Sequence, residues 1–413
     1  MRALSPTDRH AMHFSEDVSI LVVTCSSGVA PYLAREIEAL GLPVSHVGET
    51  AVESEGTMED AMRLNLRLRT AHRVFWQVAG FRADDPDELY AKACDVPWED
   101  YIDPDGYVSV DVSVDTPTIR NDFFAAVRVK DAIADRMRYR FGRRPDSGGE
   151  DDAGACVFLH WIGRNAALFL NTSGSALSKR GYRVGNVPAP MRETLAAAIV
   201  MATGWDGRSH LLNPMCGGGT IAIEAAWMAT GRAPGLLREH FAFMDVVGYE
   251  PPRWQALRRE AVVAIHPLPD GVRIVASDLD AAALRAAEAN AAAAGVGDLL
   301  SFDHCDVALS PVPEGGGVIL MNPPYGTRLG DAAKLRPTYA AIGGFLARCA
   351  PAYRGFVFTA NPELAECVGL EASQSIPFFN ARLDSRLLEF GGYSRRRRRD
   401  AAGSDTDGAF VGA

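Results

Sequence analysis

Residues 20–24 (ILVVT) form an apolar run, followed by a small-residue turn and an amphipathic stretch that Gly41 closes, a pattern that predicts a strand leading into a helix. Helical spacing returns from Met58 to Thr70, and Val74 to Val78 reads as a buried strand. DELYAKACDVPWEDYI has the acidic start of a helix, and GYVSVDVSV (Gly106 to Val114) alternates as a half-buried strand does. A basic helix is expected from about Asn121 to Phe141, a polar glycine-rich loop over RRPDSGGEDDAGA, and a two-stranded hairpin over CVFLHWIGRNAALFLNTSG. Strands and helices mixed in this way predict one or two small α+β domains.

After KRGYR (Lys179 to Arg183) and the proline-containing VGNVPAP the pattern changes, which marks a domain boundary. Strands at His210–Asn213, Arg273–Ser277, Leu299–Asp303, Val318–Met321 and Gly355–Thr359 now alternate with alanine-rich helices at Thr220–Thr230 and Ala281–Ala294. Such alternation predicts an α/β domain with a doubly wound parallel sheet that binds ligands at the carboxyl ends of its strands. Residues 394–413 have little apolar content to bury and are expected to be disordered.

A chain of 413 residues with 47% hydrophobic content has room for two or three domains. It contains no run approaching the roughly 18 apolar residues of a membrane span, and MRALSPTDRHAMHF lacks the apolar centre of a secretion signal, so a cytoplasmic protein without a membrane partner is expected. Seven cysteines, scattered and without a CxxC pair, argue against a disulfide framework and a zinc site. The net charge of -10 disfavours a nucleic-acid partner until its distribution is considered. Between Arg120 and Arg144 eight basic residues face three acidic ones, a local excess of five. The run suits either a solvated helix face or phosphate contacts, for which Arg128, Lys130, Arg136, Arg140 and Arg143 are the candidates.

Four short segments carry candidate chemistry. In LLNPMCGGGT a strand passes through Gly217, Gly218 and Gly219 into a helix; glycine allows close backbone approach, and a helix amino terminus favours a carboxylate or phosphate. A tight turn would look the same, whereas dinucleotide binding lacks its GxGxxG spacing. Asp278, at the end of the next strand, suits ribose hydroxyls and equally a helix cap. Asp306 follows a short strand and suits an adenine amino group or a turn. Asn322, Pro323, Pro324 and Tyr325 come directly after a buried strand. Because proline donates no hydrogen bond, nearby carbonyls stay free as acceptors. An amino group on a base is a poor nucleophile, since its lone pair is delocalised into the ring. The Asn322 oxygen and the Pro323 carbonyl suit its hydrogens, and Tyr325 suits stacking on the base.

With these motifs the sequence resembles class I methyltransferases of the NPPY type, and among them the THUMP-domain guanosine methyltransferases. NLRLRTAHRVFWQV, VRVKDAIADRMRYRFGRRP, NTSGSALSKRGYR, NPMCGGGTIAIEAA, NPPYGTRL and FFNARLDSRLLEF carry the likeness over roughly residues 60 to 390. The combination looks like the half of large-subunit rRNA methyltransferases that makes N2-methylguanosine. The resemblance implies a ferredoxin-like subdomain at 15–70, a THUMP RNA-binding domain at 71–175 and a Rossmann-like domain for S-adenosyl-L-methionine at 185–393. It adds Lys179 and Arg180 to the RNA-binding candidates. It assigns the loop from Asn213 to Thr220, with Pro214, Cys216, Gly217 and Gly219 foremost, to the methionine part of the donor, Asp278 to its ribose, Asp306 to its adenine, and Asn322 to Tyr325 to the target base, with Asn322 also touching the donor. Asn213 stands where the family's loop usually begins with an acidic residue. No second methyltransferase domain is expected after Gly391.

The expected reaction is direct methyl transfer from the sulfonium to the amine, without a covalent intermediate, on a base taken out of its stack. The expected partner is rRNA, with tRNA near the acceptor stem as the alternative, and the expected state is a monomer. A noncatalytic RNA-binding assembly factor would keep the fold without turnover. A DNA or protein-glutamine methyltransferase would leave residues 60 to 180 unexplained.

Overall fold

The computed structural model describes residues 14, 16–119, 121–147, 154–185, 187–188, 190–326, 331–350, 352–380 and 383–391. The expected tail at 394–413, Arg120 and part of the glycine-rich loop lie outside them. The chain forms two compact units, one of residues up to Gly181 together with Arg232–Ile265, the other of Tyr182–Gly231 and the remainder from His266.

The first unit begins with β1 (Ser19–Thr24), α1 (Ala30–Ala39), β2 (Val44–Val47), β3 (Ala51–Gly56), α2 (Met58–Arg67) and β4 (Arg73–Arg82). Leu21 and Val23 point inward from β1 while their neighbours are less buried, as strand alternation requires. A capping box starts α2: Asp60 N donates to Thr57 Oγ1 at 3.2 Å, and Thr57 N donates to Asp60 Oδ2 at 3.0 Å. There follow α3 (Pro86–Asp95), β5 (Tyr107–Asp115), α4 (Asp122–Phe141), β6 (Asp146–Ser147), β7 (Ala155–Ile162) and β8 (Asn165–Asn171). All eight strands form one sheet in the order β2-β3-β1-β4-β8-β7-β5-β6. Asn121 caps α4 through the Phe123 N–H at 3.0 Å, and Gly142 ends it in the left-handed conformation. The buried stripe Ala125, Val129, Ala132, Ile133 and Met137 is the helical periodicity that the sequence carries there.

The second unit opens with α5 (Glu193–Ala202), β9 (His210–Pro214) and α6 (Thr220–Ala229). The next helix, α7 (Pro251–Val263), belongs to the first unit, where Trp254 packs edge-on against Phe241 and Phe243. The second unit resumes with β10 (Ile274–Asp278), α8 (Ala281–Ala293), β11 (Leu300–His304), β12 (Gly317–Met321), α9 (Asp331–Cys349), β13 (Tyr353–Thr359), α10 (Pro362–Glu366), β14 (Gln374–Asn380) and β15 (Leu383–Phe390). Its sheet runs β11-β10-β9-β12-β13-β15-β14. The pairs among β9 to β13 are parallel, and β15 and β14 are antiparallel additions. The strand order reverses at β9, so its carboxyl end, with those of β10 and β12, is the switch point at which such sheets bind ligands. Leu212, Ile319, Met321, Phe345 and Val357 form the apolar layer beneath it. No helix among the described residues is long and apolar enough to cross a membrane.

Candidate active site

The loop after β9 is held from both sides. Cys216 N donates to Ser277 O at 3.0 Å, Gly217 N to Asp278 Oδ2 at 2.9 Å, and Gly219 N back to Cys216 O at 2.9 Å. Gly217 and Gly219 are left-handed, with φ of 55° and 78°, for different reasons. A Cβ on Gly219 would stand 2.9 Å from Ala287 Cβ on α8, whereas one on Gly217 would meet nothing within 4 Å. Gly219 thus permits the helix to approach, and Gly217 leaves an opening in front of the loop. The free amides of the α6 first turn, from Thr220, stand at the same end of the sheet.

Asp278 ties the loop to the turn before α8: one oxygen holds Gly217 N, and the other accepts from Asp280 N at 2.9 Å. The cap of α8 itself is Asp280, which accepts from Ala282 N at 2.8 Å. Asp306 accepts from Ala308 N at 2.9 Å and borders a small cavity of about 330 Å³ with Cys305, Val307 and Ala341.

At the end of β12 the Tyr325 hydroxyl donates to Asn322 Oδ1, and Asn361 Nδ2 donates to the Tyr325 carbonyl at 3.0 Å. The Tyr325 ring lies edge-on to Phe358, with centroids 6.3 Å apart. Burial pushes its hydroxyl well above the ordinary tyrosine range, against a hydrogen bond from Asn380. Tyr339 OH donates to the Pro324 carbonyl at 3.3 Å, while the Pro323 carbonyl accepts no hydrogen bond among the described residues.

One cavity of about 760 Å³ brings Cys216, Gly217, Thr220, Asp278 and Asn322 to Tyr325 together, a size suited to a small-molecule ligand. Of the remaining expected donor contacts, Asp306 lies on the adjoining smaller cavity, and Asn213, Pro214 and Gly219 stand behind the walls. Asn213 is fully buried; its Nδ2 donates to Leu320 O at 2.8 Å, tying β9 to β12, and its Oδ1 has no hydrogen-bond partner among the described residues. Burial and the Asp278 charge push the Cys216 thiol far above its ordinary value, which disfavours the thiolate. Met215, inside the loop given to the donor, also lines the main wall, and sequence reasoning missed Val187, Met191, Asp280, Lys334, Asn380 and Leu383 there. Val187 lies in the VGNVPAP segment read as a domain boundary, and Asn380 and Leu383 in FFNARLDSRLLEF, whose pattern carried no chemistry of its own.

The basic helix is more neutral than its sequence. Arg136 grips the Glu99 carboxylate through Nε and Nη2 at 2.7 and 2.8 Å, and Arg140 Nε adds 2.8 Å to the same group. Arg128 pairs with Asp87 at 2.6 Å and lies over the Tyr90 ring, and Arg143 pairs with Asp105 at 2.9 Å. Lys130 forms no ion pair among the described residues, and Lys179 is exposed. Arg180, expected to meet RNA, is instead 2% exposed and donates to the Leu177 and Arg69 carbonyls, so its guanidinium is closed to a phosphate here.

Comparison with known proteins agrees with this architecture. Residues 20–75 match the RlmL ferredoxin-like domain, 83–167 the THUMP domain, and 180–389 the UPF0020 family, an RMKL-like methyltransferase domain. The ribosomal RNA large subunit methyltransferase K/L of Syntrophotalea carbinolica is 40% identical over 380 residues, covering 89% of this chain and 53% of that protein. The chain thus spans about half the length of the curated relatives it matches. A possible methylase of Clostridium difficile 630 superposes with a TM-score of 0.83 at 27% identity, covering 91% of this chain and 98% of that one. SMU.472, solved in complex with SAH, gives a TM-score of 0.82 at 26% identity, with 91% and 99% covered. By its sequence matches and its fold, the chain belongs to the RMKL-like methyltransferase family, with an RlmL-type ferredoxin-like domain and a THUMP domain ahead of the methyltransferase domain.

Proposed function

We propose that this chain methylates the exocyclic N2 of a guanine in large-subunit rRNA, with S-adenosyl-L-methionine as donor. The observation that carries the reading is that Asn322 and Tyr325, at the end of β12, share one cavity with the Gly217 opening and the Asp278 carboxylate. The cavity suits the donor: Gly217 leaves room at the loop, the amides of the α6 first turn suit its carboxylate, Asp278 suits the ribose hydroxyls, and the slot beside Asp306 is large enough for an adenine. The donor supplies an electrophilic methyl group on a sulfonium.

The protein's part is to hold the amine. Asn322 Oδ1 and the Pro323 carbonyl accept its hydrogens and favour the tetrahedral nitrogen that develops, a form of preorganised stabilisation. Tyr325 OH donates to Asn322 Oδ1 in this structure, which leaves that oxygen a second lone pair for the amine, and the ring stacks on the base. The proton leaves after transfer, and no cysteine takes part. Lys130, Arg143 and Lys179 position RNA through its phosphates. An rRNA substrate implies a cytoplasmic enzyme.

Single-turnover methylation at saturating RNA tests the amine-holding role. Asn322→Ala should slow transfer by about 10²-fold or more. Tyr325→Ala should recover in part as RNA is raised, since the loss of one base contact weakens capture. Wild-type rates for Asn322→Ala would refute the reading.

A further inference from the structure

The acceptors at the end of β12 suit any exocyclic amine, so by themselves they do not choose guanine N2 over adenine N6 or cytosine N4. The neighbouring ring nitrogen does distinguish them: beside its amine guanine presents an N1–H donor and then the O6 acceptor, whereas adenine and cytosine present a bare ring nitrogen. Asn380 is placed to read that edge. It is half-buried at the end of β14, opposite Leu383 of β15, and both residues line the main cavity. Phe378, two residues earlier on the same strand face, is fully buried, with its ring edge-on to Phe358 at a centroid distance of 6.2 Å, and Phe358 in turn abuts the Tyr325 ring. Strand alternation thus sets Asn380 beside Tyr325, to whose hydroxyl its N–H donates. Since that hydroxyl donates to Asn322 Oδ1, the two carboxamides stand within two hydrogen-bond lengths of each other, about 6 Å, the scale of one base edge. With one N–H given to Tyr325, the Asn380 carboxamide keeps a second N–H and its oxygen for a ligand.

We propose that Asn380 selects guanine: with the amine held at Asn322, the Asn380 oxygen accepts the guanine N1–H and its second N–H donates to O6. Adenine or cytosine would set a ring-nitrogen lone pair against the Asn380 oxygen and leave both unpaired, a heavier penalty than a contact merely missing. The amide cannot turn over to suit them, because the Tyr325 hydroxyl has its own hydrogen committed to Asn322 and faces Asn380 as an acceptor. The inference rests on the methyl-acceptor reading of this end of the cavity.

The test is single-turnover methylation by the full chain of a synthetic RNA spanning the nucleotide that the wild type methylates in large-subunit rRNA, with guanosine or 2-aminopurine riboside at that nucleotide. 2-Aminopurine keeps the 2-amino group but has neither N1–H nor O6. The wild type should transfer to guanosine at least about tenfold faster than to 2-aminopurine, and Asn380→Ala should shrink that preference by about tenfold. The intrinsic reactivities of the two amines are the same for both proteins and cancel in the comparison. A wild type that treats the two bases alike overturns the proposal whatever the variant does. So does Asn380→Ala slowing both bases equally, the result expected if Asn380 merely steadies Tyr325, or leaving both rates as they are. If the wild type methylates no guanine in the rRNA, it is the reading of the cavity that falls, and the selection by Asn380 with it.

Discussion

Asp278 concentrates the site's logic in one side chain, because its two oxygens hold the glycine loop and the turn into α8 while the carboxylate borders both cavities. Replacing it with alanine should weaken donor binding by about 1.5–3 kcal/mol, the range for hydrogen bonds to a charged group. RNA affinity should be nearly unchanged. Calorimetric titration with the donor reads this directly, and an unaltered dissociation constant would remove Asp278 from the site. Asp278, Gly217 and the Asn322 to Tyr325 tetrad were legible in the sequence because each is a short motif at a strand end, where chemistry and position coincide. Asn380 was not. It reaches the wall through the pairing of β14 with β15, far along the chain from the motifs it faces.

At the scale of elements, α4 shows how a charge run changes meaning once its neighbours are placed. Its boundaries and buried stripe follow from periodicity and caps, yet the excess of positive charge read from the sequence is partly met by Asp87, Glu99 and Asp105, which lie outside the run. Burial of Glu99 disfavours its charged form, but hydrogen bonds from Arg136, from its own backbone and from Arg140 outweigh it and hold the carboxyl below its usual range. A depressed folded-state pKa contributes stability above the ordinary carboxylate range that is lost as pH falls through the folded value. Arg136→Ala should therefore destabilise the fold by about 1.5–3 kcal/mol at neutral pH and shrink the acid-side loss of stability, as urea denaturation at pH 7 and at pH 4 would reveal. If the variant matches wild type at both, Arg136 is not a structural tie. For RNA, the cleaner variant joins Lys130→Ala to Lys179→Ala. It should lower affinity and flatten its salt dependence with little change in stability, because each lost phosphate contact releases fewer counterions. Unchanged affinity and salt slope would leave α4 a solvated face.

Across the whole molecule, alternating strands and helices made the parallel sheet legible, and mixed elements made the α+β half legible. The assignment of residues 232–265 to the first unit was not, because their helix and short turns show little amphipathic pattern and are secured by contacts distant in sequence, such as Arg67 with Glu260 and Arg253 with Glu59. The polar strands β2 and β3 escaped notice for a related reason: they lie at the sheet's end and present mainly charged or partly exposed residues. The central claim, transfer to guanine N2 in large-subunit rRNA, is tested most directly by nucleoside mass spectrometry after incubating the purified chain with S-adenosyl-L-methionine and unmodified large-subunit rRNA or tRNA. The account expects N2-methylguanosine in the rRNA and none in the tRNA; methylation of adenine, of the tRNA alone, or of neither RNA would contradict it.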